Sequence, residues 1–276
     1  MKTYISELES KGFVVLKYPK KLREAVEEAV ESWKRFCALS VDVKKGLPYS
    51  NGADGVGYEL KDGVGNKADR KENFDVAING LEWLQRNIQS IQDSTALDFV
   101  QRATNLVRLM KPMVLDFARQ SEQAYGLEGF SSEVDKSENA FFVRFIHYFG
   151  DRKVGEETAT AHTDQSGFTL HLYESAPGLQ CLTYDGEWID MPVSSGKTVI
   201  IPSMQMQLRS KGRLKALCHR VVATPDTALN GRYSAVCFVQ LARTPKYNKA
   251  KHGRLQEKTP GFNYKLPYKE FKKLFQ

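Results

Sequence analysis

Residues 167–193 read GFTLHLYESAPGLQCLTYDGEWIDMPV, and the way this stretch is punctuated decides the fold. Three short β-rich runs, GFTLHLYE, GLQCLTY and GEWIDMPV, are separated by Pro177-Gly178 and by Tyr184-Asp185-Gly186, a hairpin signal. The same texture continues on both sides. NAFFVRFIHYFG precedes the stretch, KTVIIPS, ALCHRVVAT and RYSAVCFVQLA follow it, and Leu229-Asn230-Gly231 reads as a second hairpin signal. Seven such runs within about a hundred residues predict antiparallel strands closed into a sandwich or barrel. Upstream the periodicity is helical. LREAVEEAVESWKRFCAL repeats Leu22, Ala25, Val26, Ala29 and Val30 on one face. A second helix is predicted from about Ala96 to Tyr125, with Leu97, Val100, Ala103, Val107 and Met110 as its apolar stripe and Pro112 as a kink or break. KGFVVLKYP reads as a strand from Gly12 to Leu16, and residues 51–70 as a long irregular loop. The fold class is therefore α+β and one domain. Residues 1–137 form a mainly helical part, 138–242 a jelly-roll-like part and 243–276 a basic segment. In that segment LPYKEFKKLFQ places Phe271, Leu274 and Phe275 on one face of a closing helix.

Composition removes several classes of function. A chain of 276 residues at 41% hydrophobic content can bury one large core, and no stretch has the roughly 18 continuous apolar residues of a membrane span. The opening MKTYISELES is polar and acidic, unlike a secretory signal, so a cytoplasmic location is expected. Cys37, Cys181, Cys218 and Cys237 are scattered without a C-x-x-C pair, which predicts free thiols in a reducing compartment. Residues 243–276 hold ten Lys/Arg and two Glu, a local +8 that leaves −1 for the rest of a chain with net charge +7. The basicity thus belongs to one solvated segment without a nucleic-acid motif, and no nucleic-acid partner is expected.

AHTDQSG at 161–167 places His162 and Asp164 two apart, on one face if the segment is a strand. His219, in LCHRVV, lies 57 positions on, far enough to return on a neighbouring or facing strand. Two imidazoles and one carboxylate with the other positions open form a facial triad suited to Fe(II); a zinc site is the metal alternative, although no H-E-x-x-H is present. GRYSAV then supplies Arg232 and Ser234, again two apart, and a guanidinium fork with a hydroxyl suits a carboxylate. If Val221–Ala223 pairs with the strand that opens at Arg232, the arginine stands ~13 Å from His219 along the sheet. A small extended diacid would span the gap between metal and arginine.

In this order and spacing the motifs resemble the iron(II)/2-oxoglutarate-dependent oxygenases, in particular their isopenicillin N synthase-like branch. KGFVVL is similar to that branch's N-terminal strand. DRKENFDV is similar to its Lys-Glu-x-Phe segment, VRFIHYF to its Arg-x-x-x-Tyr strand, PGLQCLTYDGEWIDMPV to its Gly-Leu-Gln strand and Trp hairpin, and SKGRLKALCHRVV to its distal-histidine segment. The resemblance implies a double-stranded β-helix (jelly-roll) core with N-terminal helices packed around it. It implies iron on His162, Asp164 and His219, the distal carboxylate of 2-oxoglutarate on Arg232 and Ser234, and Tyr148 near the cosubstrate's metal-side carboxylate, with core packing as the alternative for Tyr148. It further implies O2-dependent oxidation of a small molecule by hydroxylation, desaturation or cyclisation, with release of succinate and CO2. Two positions depart from the family pattern: Ile146 replaces an Asn two residues before the tyrosine, and Ser203-Met204 replaces a Gly-Asp pair. The competing readings are an Fe(II)-dependent oxidase or cyclase that does not use 2-oxoglutarate and a non-catalytic small-acid-binding protein. The substrate pocket is expected to draw on 51–70 with Tyr58, on Ser203–Arg213 and on the C-terminal segment. His147, His171 and His252 are expected to be structural.

Overall fold

The structure, a computed structural model, describes residues 5–50, 55–61, 70–136, 141–194, 196–210 and 213–241. Within them two antiparallel sheets face each other. The major sheet takes β1 (Val14–Lys17), β9 (Lys197–Pro202), β6 (Phe168–Glu174), β11 (Arg232–Val239), β4 (Phe141–Tyr148), β3 (Lys71–Ala77) and β2 (Gly57–Lys61), in that spatial order. The minor sheet is ordered β5 (Glu157–His162), β10 (His219–Val222), β7 (Leu179–Leu182) and β8 (Trp188–Asp190). All seven runs read as strands are strands, and β7 and β8 form the hairpin signalled by Asp185-Gly186. Strand β5 matches the strand supposed for the segment before Asp164, although it stops at His162, and β3 is a strand that the sequence reading does not include.

Side-chain alternation gives the major sheet two interiors. On β4, Phe141, Val143 and Phe145 face a helical layer, whereas Phe142, Arg144, Ile146 and Tyr148 face the space between the sheets. That layer is built on α2 (Lys20–Cys37) and α5 (Ser94–Tyr125), whose stripes meet at Trp33, Phe36 and Phe99 against Phe145 of the sheet. These four rings are fully buried, and each contributes roughly 2–3 kcal/mol relative to exposure. The remaining helices are α1 (Ile5–Lys11), α3 (Val41–Lys45), α4 (Leu81–Ile88), α6 (Phe130–Lys136), α7 (Met204–Arg209) and α8 (Pro225–Asn230). Between the sheets a smaller apolar cluster, including Phe13, Ile146, Leu179, Val221 and Val236, floors the barrel.

Several expectations need correction. Helix α5 runs unbroken through Pro112, because Met110, Val114, Leu115 and Phe117 are buried on either side and offset the lost backbone bond of about 3 kcal/mol. Leu97 is exposed rather than part of its stripe, which Phe99 joins instead. The loop at 51–70 contains β2, paired with β3 from Gly57↔Asp75 to Lys61↔Lys71. Leu229-Asn230-Gly231 is not a hairpin but the end of α8, a short helix started by a Thr224–Thr227 capping box and Pro225. This helix carries the chain from the minor sheet to the major one, so β10 and β11 do not pair and the assumed register between His219 and Arg232 is wrong. The closing helix expected at LPYKEFKKLFQ lies outside the described residues.

Candidate active site

Strands β5 and β10 pair with His162 directly opposite His219, so the 57-residue separation closes into one cross-strand pair of imidazoles with ring centroids 4.4 Å apart. Asp164 does not reach them by strand alternation, since β5 ends at His162. It sits instead in the following turn, where its carbonyl accepts the Met204 amide at 2.9 Å and its carboxylate accepts the Thr169 hydroxyl at 2.6 Å. Its Oδ1 then lies 3.6 Å from His162 Nε2 and its Oδ2 3.8 Å from His219 Nε2. With one ligand atom taken from each residue, the three donors all lie within 4.8 Å of one another, close enough to converge on one ion.

The tautomers fit as well. His162 Nδ1 faces the Thr160 carbonyl at 2.6 Å and His219 Nδ1 the Leu217 carbonyl at 3.2 Å. A carbonyl only accepts, so each Nδ1 carries the proton and each Nε2 turns its lone pair toward Asp164. Burial pushes His219 down to about 3, which keeps it neutral and able to ligate. Burial opposes the charge of Asp164, yet its carboxyl is held below the usual range, with the Thr169 hydroxyl donating to it. A carboxylate and two neutral imidazoles form a donor set for a divalent metal.

A cavity of about 380 Å³ opens in front of the triad. Tyr148, Ser234, His171 and Glu174 line one side, and Phe142, Arg144 and Phe238 line another. Burial pushes the Tyr148 phenol up to about 12, so it stays protonated at neutral pH. Arg144 is held by Asp75 through two parallel bonds of 2.7 Å and lies beside the stacked rings of Phe142 and Phe238, 5.7 Å from each centroid. The pocket residues expected from sequence are mostly elsewhere. Tyr58 is buried in the helical layer and donates to Glu72 at 2.7 Å, and the described residues of Ser203–Arg213 do not line the cavity.

Arg232 lies opposite Tyr148 in the β11–β4 pair. Gly231 makes this approach possible: its φ is 77°, and a Cβ there would come within 2.6 Å of the Tyr148 carbonyl. The buried guanidinium donates from Nε to the Ala176 carbonyl at 3.1 Å and from Nη1 to Ser234 Oγ at 3.3 Å. Its Nη2 stands 2.9 Å from Glu174 Oε2, which also accepts the Ser234 hydroxyl. Burial opposes the charge on Glu174, but Arg232, His171 and Ser234 overcome it and hold the carboxyl below its usual range. Sequence reasoning missed Glu174 and read His171 as structural. His171 lines the cavity, with Nδ1 3.3 Å from Glu174 Oε1 and Nε2 buried without a partner. His147 is structural as expected, bonded to Glu72 at 2.9 Å. Cys37, Glu72 and His147 also bring donor atoms together, but Glu72 is already held by Lys44 at 2.7 Å, and that ammonium would repel a bound cation.

Residues 137–241 match the model of the 2OG-Fe(II) oxygenase superfamily. A 2-oxoglutarate-dependent dioxygenase of Didymella fabae is 27% identical over 258 residues, which cover 83% of this chain and 76% of that protein. A 1-aminocyclopropane-1-carboxylate oxidase of Oryza sativa subsp. japonica is 37% identical over 70 residues, 25% of this chain and 22% of the relative. In fold, the chain is similar to a full-length Neurospora crassa protein solved in complex with alpha-KG, with a TM-score of 0.71 at 20% identity, covering 88% of this chain and 80% of that one. It is also similar to the Arabidopsis thaliana dioxygenase for auxin oxidation 1 solved with 2-oxoglutarate, with a TM-score of 0.70 at 17% identity, covering 87% and 86%.

Proposed function

We propose, for a chain that belongs to the 2OG-Fe(II) oxygenase superfamily, that His162, Asp164 and His219 hold its ferrous iron and that Arg232 and Ser234 receive the distal carboxylate of 2-oxoglutarate. The protein is a non-haem Fe(II)- and 2-oxoglutarate-dependent dioxygenase acting on a small molecule. Bound iron supplies the oxidation, in which O2 and 2-oxoglutarate are consumed, succinate and CO2 leave, and the substrate is hydroxylated, desaturated or cyclised.

The observation that carries the reading of the residues is the cross-strand pair of histidines with both Nε2 atoms turned to a buried carboxylate. The chain's own groups do the rest. Thr169 fixes the rotamer of Asp164, the two carbonyls fix the imidazole tautomers, and Tyr148 offers a phenolic donor on the cosubstrate side. The substrate takes the opposite side, against Phe142, Arg144 and Phe238, where a stacked aromatic pair adjoins a guanidinium held by Asp75. The order of the motifs supports the isopenicillin N synthase-like branch, and four free cysteines fit a cytoplasmic location. No helix among the described residues is long and apolar enough to cross a membrane. One apolar core from Leu8 to Leu241 supports a single oxygenase domain.

The test is titration of 2-oxoglutarate into the Fe(II)-loaded protein without oxygen, followed by metal-to-ligand charge-transfer absorbance. Asp164→Ala is expected to lose iron while keeping the fold, and Arg232→Ala to keep iron while losing most 2-oxoglutarate affinity. Full iron occupancy in Asp164→Ala would refute the triad.

A further inference from the structure

Glu174 lies where the foregoing reading puts a ligand's carboxylate. Its Oε2 accepts the Ser234 hydroxyl and stands 2.9 Å from Arg232 Nη2, an ion pair without hydrogen-bond geometry, in the place expected of the distal carboxylate of 2-oxoglutarate. A backbone irregularity brings it there. Strand β6 pairs with β11 as His171↔Val236, Tyr173↔Ala235 and Glu174↔Ser234, so one residue, Leu172, is unmatched. Strict alternation from His171 would turn Glu174 to the helical layer. The extra residue reverses the alternation and turns both side chains to the cavity. Leu172 and Tyr173 pack consecutively on the helical side.

The cavity in front of the triad is lined by Glu174 and Ser234 but not by Arg232, which lines an adjoining recess together with Glu174. Seen from the triad, therefore, the arginine lies behind the glutamate. A cosubstrate carboxylate that reaches Arg232 must share it with Glu174 or displace it, and one guanidinium cannot neutralise two carboxylates. Glu174 has a second partner to retain, since His171 Nδ1 stands 3.3 Å from its other oxygen. The buried Nε2 of His171, which has no partner, independently marks this end of the cavity as able to take a polar ligand.

We propose that Glu174 is an internal carboxylate that competes with 2-oxoglutarate for Arg232 and Ser234 and so sets how tightly the cosubstrate binds. The inference rests on the assignment of Arg232 and Ser234 made above. It reverses the sign that a supporting role would have: a glutamate that only oriented Arg232 would weaken binding when removed, whereas a competitor strengthens it.

The experiment is calorimetric titration of 2-oxoglutarate, and separately of pyruvate, into the Fe(II)-loaded protein without oxygen. Pyruvate carries the same keto-acid end and no distal carboxylate. Glu174→Gln is expected to bind 2-oxoglutarate at least about tenfold tighter and pyruvate as the wild type does. Glu174→Asp, which keeps the charge on a shorter arm, is expected to give a smaller gain, and it decides the matter if the Gln variant does not fold. Unchanged or weaker 2-oxoglutarate binding in the folded variant, or an equal gain for pyruvate, overturns the proposal. Arg232→Ala separates the two failures. If it binds 2-oxoglutarate like the wild type, the carboxylate site itself is misassigned and the competition falls with it. If it loses binding while Glu174→Gln gains none, only the competition falls.

Discussion

Replacing Glu72 by Gln tests whether the buried charge cluster behind the site holds the barrel together. Glu72 is 2% exposed, yet it meets Lys44 Nζ at 2.7 Å, the Tyr58 hydroxyl at 2.7 Å and His147 Nδ1 at 2.9 Å. Burial opposes its charge, but His147, Lys44 and Tyr58 together bring the carboxyl from 4.5 down to about 2. That displacement corresponds to about 3 kcal/mol of stability at neutral pH. The direction follows from the lowered value. The carboxylate's contribution is complete above about 4.5 and is lost as the pH falls from there toward 2. Gln keeps the shape and an acceptor but removes the charge and leaves the buried Lys44 without its counter-ion. Urea denaturation should therefore show Glu72→Gln about 3 kcal/mol less stable at pH 7. The gap to the wild type should narrow below pH 4.5. A gap under about 1 kcal/mol at pH 7, or one that stays constant as the pH falls toward 3, would refute the reasoning. The cluster matters for function because Glu72 faces His147 across β3 and β4, next to the Lys71↔Tyr148 pair, so it fixes the strand that presents Tyr148 and Arg144 to the cavity.

Two further perturbations probe the site. Thr169→Val removes the hydroxyl that Asp164 accepts at 2.6 Å, and iron affinity measured by chelator competition should fall about 10- to 100-fold with the fold retained; an unchanged affinity would show that the bond does not position the ligand. Gly231→Ala forces a Cβ into a left-handed residue and against the Tyr148 carbonyl, and it should cost at least about 1–2 kcal/mol in thermal denaturation while weakening 2-oxoglutarate binding more than iron binding; an unaltered melting temperature would mean that β11 can enter the sheet another way.

What the sequence disclosed, and what it hid, follows from how local each signal is. His162, Asp164 and His219 are legible because two histidines and a carboxylate are the residue types of a metal site and stand in strand-like segments that can return to one another, and the structure does bring them together. The reason offered for Asp164 was nevertheless wrong: a turn beyond β5 supplies the approach, and turn geometry cannot be read from a two-residue period. Arg232 and Ser234 were legible as a pair on one face, but not the sheet they belong to. Asn230-Gly231 marks a reversal without saying between which strands. Thr224-Pro225-Asp226-Thr227 carried an overlooked helix start that would have ruled out the hairpin. Tyr58 stands in a glycine-rich stretch that suggests a pocket, yet its hydroxyl donates to a glutamate 14 positions away.

Glu174 was invisible for a deeper reason. Any alternation argument on FTLHLYE that starts from Thr169, the residue bonded to Asp164, turns His171 and Tyr173 to the cavity and hides Glu174. The unmatched residue at Leu172 breaks that parity: Tyr173 goes to the helical layer, where it lies near Lys34, and Glu174 takes its place beside Arg232. No residue type in the segment announces the irregularity, since Leu and Tyr suit a regular strand as well as a bulged one. The bulge therefore decides which acid the guanidinium meets first. The proposed iron ligands can be read from residue identity, but the surroundings of Arg232, the proposed cosubstrate end, depend on a one-residue shift in backbone register that identity alone does not encode.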